Sequence, residues 1–154
     1  PTGGYNVASA LYKQGAVILF HAAGGSGDGM FKAAQELGKL GIGVDSDQGL
    51  VYNAATDPAV KARAKVVLTS MLKRVDNAVI IAATELISSG KLVGGNRVFG
   101  LKENGVGFAE NALNKADLAD VRDAILRIRT QIITGSIVVP DENTDMAAWA
   151  KSVR

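Results

Sequence analysis

The segment that most narrows the fold is Ala16-Val17-Ile18-Leu19-Phe20, an apolar run with no polar alternation. It stands between a stretch of helical spacing (residues 5–14, closed by Gly15) and the glycine loop Ala22-Ala23-Gly24-Gly25-Ser26-Gly27-Asp28-Gly29. An unalternating strand predicts burial on both faces, as in a parallel sheet covered by helices. The same succession then repeats. Met30 to Leu37 has helical spacing, with Met30, Phe31, Ala34 and Leu37 on one face and Gly38 as a C-terminal stop. Ile42-Gly43-Val44 reads as the next strand, running into Asp45-Ser46-Asp47-Gln48.

Residues 49–64 carry the turn signal Asp57-Pro58 and read as loop or short helix. Lys65 to Thr69 predicts a third strand. From Ser70 a long helix is expected to about Ser89, with the stripe Leu72, Val75, Val79, Ala82, Ala83 and Leu86 packing, and Gly90 ending it. Arg97 to Leu101 predicts a fourth strand, followed by the glycine-punctuated loop Lys102 to Phe108. Asp117 is expected to cap a helix reaching about Thr134, then a short strand Ile137 to Pro140. Thr144 to Val153 predicts a last amphipathic turn or two around Trp149. Strands alternating with amphipathic segments specify an α/β protein with a largely parallel sheet flanked by helices.

Composition excludes several classes. With 154 residues and 47% hydrophobic content the chain is domain-sized and too apolar to be disordered. Seventeen Lys and Arg against fifteen Asp and Glu leave a net charge of +2, scattered rather than clustered, which is no nucleic-acid footprint. The lack of cysteine removes disulfides, thiolate metal sites and a Cys nucleophile. The eighteen glycines have no fixed period, so they read as turn residues at element ends rather than as collagen or linker.

In a parallel α/β sheet, ligands bind where strand C-termini meet the following loops, because helix N-termini and loop amides converge there. The glycines at 24–29 let backbone approach a ligand. Asp45, at the next strand end, could accept paired hydrogen bonds from vicinal hydroxyls such as those of a ribose. Its spacing from Gly25 suits a dinucleotide fold, but Met30 stands where a third Gly or Ala belongs and Asp28 would repel a pyrophosphate. A nicotinamide-type oxidoreductase is therefore the alternative reading, not the leading one. No Walker sequence occurs. His21 has no HExxH, GxSxG or Cys companion, and a histidine at a strand end ordinarily satisfies a backbone group. Asp45 and Asp47 lack a third metal ligand, which favours loop ordering. Lys73, placed early in the expected long helix, reads by itself as a surface cation. No catalytic residue, metal site or cofactor is assigned.

These segments together resemble one family. Phe20-His21-Ala22-Ala23-Gly24-Gly25-Ser26-Gly27, Ile42-Gly43-Val44-Asp45-Ser46-Asp47-Gln48 and Val67-Leu68-Thr69-Ser70-Met71-Leu72-Lys73-Arg74-Val75-Asp76 are similar to the basic membrane protein family. So are Val98 to Gly107 and Ile133 to Pro140. The family comprises substrate-binding lipoproteins of ABC transporters, including purine nucleoside receptors. The resemblance implies a type I periplasmic-binding-protein fold, with two α/β lobes joined by a hinge, of which this chain would be the C-terminal part. Residues of about 1–48 and 110–154 would then belong to the second lobe and about 66–100 to the first, with hinge crossings near 46–69 and 100–110. It further implies that Gly24, Gly25, Asp45 and Lys73 contact a nucleoside. The implied partners are an ABC permease and, through a lipid anchor absent from this chain, the membrane, in an extracytoplasmic setting. A ligand-sensing regulatory protein of the same fold is a third reading.

Overall fold

A computed structural model describes residues 1–92, 94–141 and 143–152. The chain divides into two compact units, residues 1–118 and 119–154. In the first, α1 (Thr2–Lys13), β1 (Ile18–Phe20), a 3-10 turn (Gly24–Ser26), α2 (Gly27–Leu37) and β2 (Leu40–Asp45) follow one another. Then come α3 (Gln48–Asn53), α4 (Pro58–Lys61), a second 3-10 turn (Ala62–Val66), β3 (Val67–Lys73), α5 (Val75–Ser89) and β4 (Val106–Phe108). The strands form one sheet in the order β1-β2-β3-β4. The first three are parallel and β4 joins antiparallel. The architecture is thus the mixed α/β sheet flanked by helices that the alternating pattern specifies.

The core gathers the inner faces of α1 and α2 with the segment that follows β2. Ala8 and Tyr12 from α1 meet Met30, Phe31, Ala33 and Ala34 from α2, together with Tyr52, Ala64 and Val67. Phe31 is fully buried and stands edge-on to both His21 (5.6 Å between ring centres) and Tyr52 (5.4 Å). Tyr12 anchors α1 to the sheet: its hydroxyl donates to the Leu40 carbonyl at 2.8 Å, and burial pushes its phenol up to about 12.

In this first unit four expectations are corrected. The apolar run 16–20 forms an edge strand of only three residues rather than one buried on both faces: Val17, Ile18 and Phe20 are 60%, 44% and 55% exposed. It has one neighbouring strand, and of the run Ala16 and Leu19 pack on the core. The third strand does not stop at Thr69. Met71, Leu72 and Lys73 pair with Phe108, Gly107 and Val106, so Ser70 to Lys73 are strand and the helix begins at Val75. This long-range pairing overrides the local helical spacing. The residues Arg97 to Leu101 are not a strand, and β4 lies inside the expected glycine loop. There the Gly105 N–H donates to the Gly100 carbonyl and the Arg74 N–H to the Gly105 carbonyl, both at 2.8 Å, which sets Val106 against the end of β3. Finally, the α5 stripe does not pack: no residue of α5 is buried.

Helix α6 (Lys115–Ile133) begins ahead of Asp117, and most of it belongs to the second unit. In that unit Ile137 to Pro140 is not a strand; the Ile137 N–H folds back onto the Gln131 carbonyl at 3.1 Å. The expected terminal turns are α7 (Met146–Ser152), opened by Asp145, whose carboxylate accepts from the Ala147 and Ala148 amides. The Trp149 indole N–H donates to the Val138 carbonyl. Val153, the expected end of this segment, lies outside the described residues. No helix among the described residues is long and apolar enough to cross a membrane.

Candidate ligand-binding site

Because β1, β2 and β3 run parallel, their C-terminal ends lie along one edge of the sheet. Gly24 and Gly25 form the turn after β1, Asp45 ends β2 and Lys73 ends β3. The register places Asp45 opposite Leu72, and the Lys73 ammonium reaches the Asp45 carboxylate at 3.1 Å. Asp45 and Lys73 are thereby brought together, and Lys73 is a strand-end residue rather than a helical surface cation. Gly24 and Gly25 flank the end of β1 with open space where a Cβ would stand.

The pair contributes little to holding the fold. The two side chains are 57% and 59% exposed, and exposed ion pairs contribute only about 0.2–1 kcal/mol. Chemically, the carboxylate accepts hydrogen bonds from hydroxyl groups while the ammonium donates to hydroxyl or ether oxygens.

Asp45 occupies an unusual backbone conformation. Its φ is +67°, in the left-handed region that side chains other than glycine seldom adopt, and the Ser46 N–H donates to the Val44 carbonyl at 2.8 Å across it. Val44-Asp45-Ser46 is thus a γ-turn at the end of β2.

A hydrogen-bonded layer lies under this turn. The Gln48 side-chain oxygen accepts from the Val44 N–H at 2.9 Å and lies 3.0 Å from His21 Nε2. The Gln48 N–H donates to Ser70 Oγ at 3.1 Å, and Ser70 is fully buried. Since the Gln48 oxygen can only accept, His21 Nε2 carries the proton and donates. His21, 7% exposed, therefore satisfies a side chain rather than the backbone group expected of it. Its Nδ1 has no hydrogen-bond partner among the described residues.

Asp47 is occupied structurally, in keeping with loop ordering: one carboxylate oxygen caps α3 by accepting from the Leu50 N–H at 3.1 Å, the other accepts from the Asn111 amide at 2.6 Å. Asp28 stands in the first turn of α2 and accepts from the Tyr52 hydroxyl. Burial, reinforced by that bond, pushes the Tyr52 phenol far above its usual range, so it remains a donor. A carboxylate fixed at this helix start is the wrong charge for a dinucleotide phosphate.

Sequence reasoning missed Gln48 and Ser70 as site-supporting residues. The signal for Gln48 was its place directly behind Asp45-Ser46-Asp47; Ser70 was hidden by its assignment to a helix.

A family model described as ABC transporter substrate-binding protein, PnrA-like, matches residues 1–143. The chain belongs to this family. Basic membrane protein D of Borreliella burgdorferi is 36% identical over 140 residues, covering 89% of this chain and 38% of that protein. The CD4+ T-cell-stimulating antigen of Listeria monocytogenes is 35% identical over 147 residues, 90% of this chain and 40% of that one. The ABC transporter nucleoside-binding protein BmpA of Lactococcus lactis is 30% identical over 149 residues, again 90% and 40%. The chain thus spans about two fifths of the length of the relatives it matches. Among solved structures, an ABC transporter solute-binding protein from Conexibacter woesei superposes with a TM-score of 0.61 at 18% identity, over 88% of this chain and 41% of that one. A transcriptional activator of the comK gene from Bacillus halodurans gives 0.65 at 22%, over 83% and 40%. At these identities the likeness is one of fold alone.

Proposed function

We propose that the whole protein is an extracytoplasmic solute-binding component of an ABC transporter that captures a purine nucleoside, or a related ribosyl compound, between two lobes and presents it to a permease. In this reading it is not an enzyme. The observation that carries it is the Asp45–Lys73 pair, exposed at the ends of adjacent parallel strands. Carboxylate and ammonium together grip the vicinal hydroxyls of a ribose, and the glycine turn admits the ligand to backbone amides. A relative named as a nucleoside-binding protein supports the ligand class. The strand-end position of Lys73 supports a cleft at this edge; since β3 pairs within this sheet, the part of the expected 66–100 segment that would reach into the other lobe begins after Arg74, with the chain returning near 100–110. Lobe closure about such a hinge would deliver the ligand. Membrane attachment would come from a lipid anchor outside this chain.

Calorimetry of the complete protein with inosine, guanosine, adenosine, free bases, ribose and NAD tests the reading. Nucleosides are expected to bind, and Asp45→Ala to remove most of that affinity, since the ligand hydroxyls lose their acceptor. Binding of NAD without nucleoside affinity would instead favour the oxidoreductase alternative and sink the transport reading.

A further inference from the structure

The layer beneath the Asp45 turn leads to an inference about Gln48 that rests on the nucleoside-site reading above. Asp45 is held at φ +67°, a conformation that a non-glycine residue keeps only where its surroundings over-determine it, and such strain gathers at ligand-binding positions. The γ-turn's own bond, Ser46 N–H to the Val44 carbonyl, uses the oxygen of Val44. The N–H of the same residue points the other way, onto the Gln48 side-chain oxygen at 2.9 Å. Val44 is therefore gripped on both sides, and the residue between that grip and Ser46 is Asp45.

Gln48 is in turn fixed from two directions. His21 Nε2, at the end of β1, donates to the same side-chain oxygen at 3.0 Å, and Ser70 Oγ in β3 takes the Gln48 N–H at 3.1 Å. One residue thus ties three adjacent strands, its side chain reaching the ends of β1 and β2 and its backbone N–H reaching Ser70 within β3. The neighbouring sequence makes room for it. A methyl group on Gly43 would stand 2.5 Å from the Gln48 oxygen and 2.6 Å from Ser70 Oγ, and one on Gly27 would stand 2.1 Å from the His21 ring. Two glycines in different elements, a buried histidine and a buried serine all converge on this layer, whereas the side chain it supports, Asp45, is exposed.

We propose that Gln48 is a positioning residue for ligand binding: through Val44 and His21 it holds the strained turn that aims the Asp45 carboxylate at the ligand and keeps it beside Lys73. Gln48 itself does not touch the ligand. It raises affinity by fixing in advance a geometry that the ligand would otherwise have to impose.

The test is a double-mutant cycle read by calorimetry on the complete protein, with inosine and guanosine as probes. Gln48→Met, which keeps the volume and loses the acceptor, is expected to weaken binding about tenfold or more. Gln48→Glu, which retains an acceptor for both donors, should recover most of that loss. In an Asp45→Ala background the Gln48→Met change should alter affinity by less than about twofold, because its effect runs through Asp45. Should Gln48→Met fail to fold, Gln48→Asn, which draws the amide back by one methylene, must show the same coupling. A large but measurable loss of affinity in Asp45→Ala, with unchanged affinity in the folded Gln48 variants or with equal losses in both backgrounds, would overturn the positioning role and leave the site reading intact. Unchanged affinity in Asp45→Ala, or no nucleoside binding at all, would overturn the site reading and this inference with it.

Discussion

Along α2, Met30, Phe31, Ala33 and Ala34 are all buried, whereas α5, fifteen residues long, buries none; Val79, Ile80 and Ile87 are 62%, 60% and 85% exposed. Both helices are rich in apolar residues. The difference lies in what each is laid against. Helix α2 returns between two parallel strands, as a crossover must, and is pressed between α1 and the sheet. Helix α5 leaves from the end of β3 and buries none of its residues among the described residues. Apolarity states what a helix needs to bury, and topology decides whether a surface is there to receive it. The relatives are longer than this chain, and an α5 that packs into another lobe of the complete protein fits the proposed two-lobe arrangement.

The contrast can be broken by substitution. The largest effect is expected at Phe31, whose ring has no exposed surface: Phe31→Ala should lower the unfolding free energy of this chain by about 3–5 kcal/mol, read from urea denaturation. A loss below about 1 kcal/mol would mean that α2 is not the packed helix described. Ile80→Ala sharpens the other side. In this chain it should change stability by no more than about 0.5 kcal/mol, and in the complete protein by about 2–5 kcal/mol if α5 is covered there. Equal small effects in both would argue against a covering lobe. The smallest effect concerns how α1 is fastened over β2. Tyr12→Phe should cost about 1 kcal/mol through the lost bond to Leu40. The phenol's pKa is raised on folding, so its contribution is full below the unfolded value near 10 and is lost as pH rises through about 12. The wild type should therefore lose stability over that alkaline window more steeply than Tyr12→Phe, as denaturation midpoints would show.

How much of this was legible beforehand depends on the range of the interaction involved. The stops at Gly38 and Gly90, the strand through Ile42 to Val44 and the placement of Asp45 at a strand end rest on local backbone chemistry, and they appear as expected. The extension of β3 to Lys73 does not, because Met71-Leu72-Lys73 becomes strand only by pairing with Val106 to Phe108. For the same reason the Asp45–Lys73 contact is not legible from spacing, which puts Lys73 on a helix; family likeness names the two residues only as separate ligand contacts. Gln48 has no role legible in its motif, since its bonds to Val44, His21 and Ser70 exist only once three strands are aligned. Burial of β1 was overestimated because an apolar run does not reveal how many neighbours its strand will have.

The pairing of Lys73 with Val106 carries one more consequence. The chain departs from the sheet after Arg74 and returns at Gly105, and those two residues are bonded, N–H to carbonyl, at 2.8 Å. Everything between them is an excursion whose two ends coincide in space, so the closure entropy of its length is borne at a single point on the sheet. In engineering terms residues 75–104 are a cassette: a short turn joining Arg74 to Gly105 leaves the four-stranded pairing intact, and a different module could be carried at the same junction.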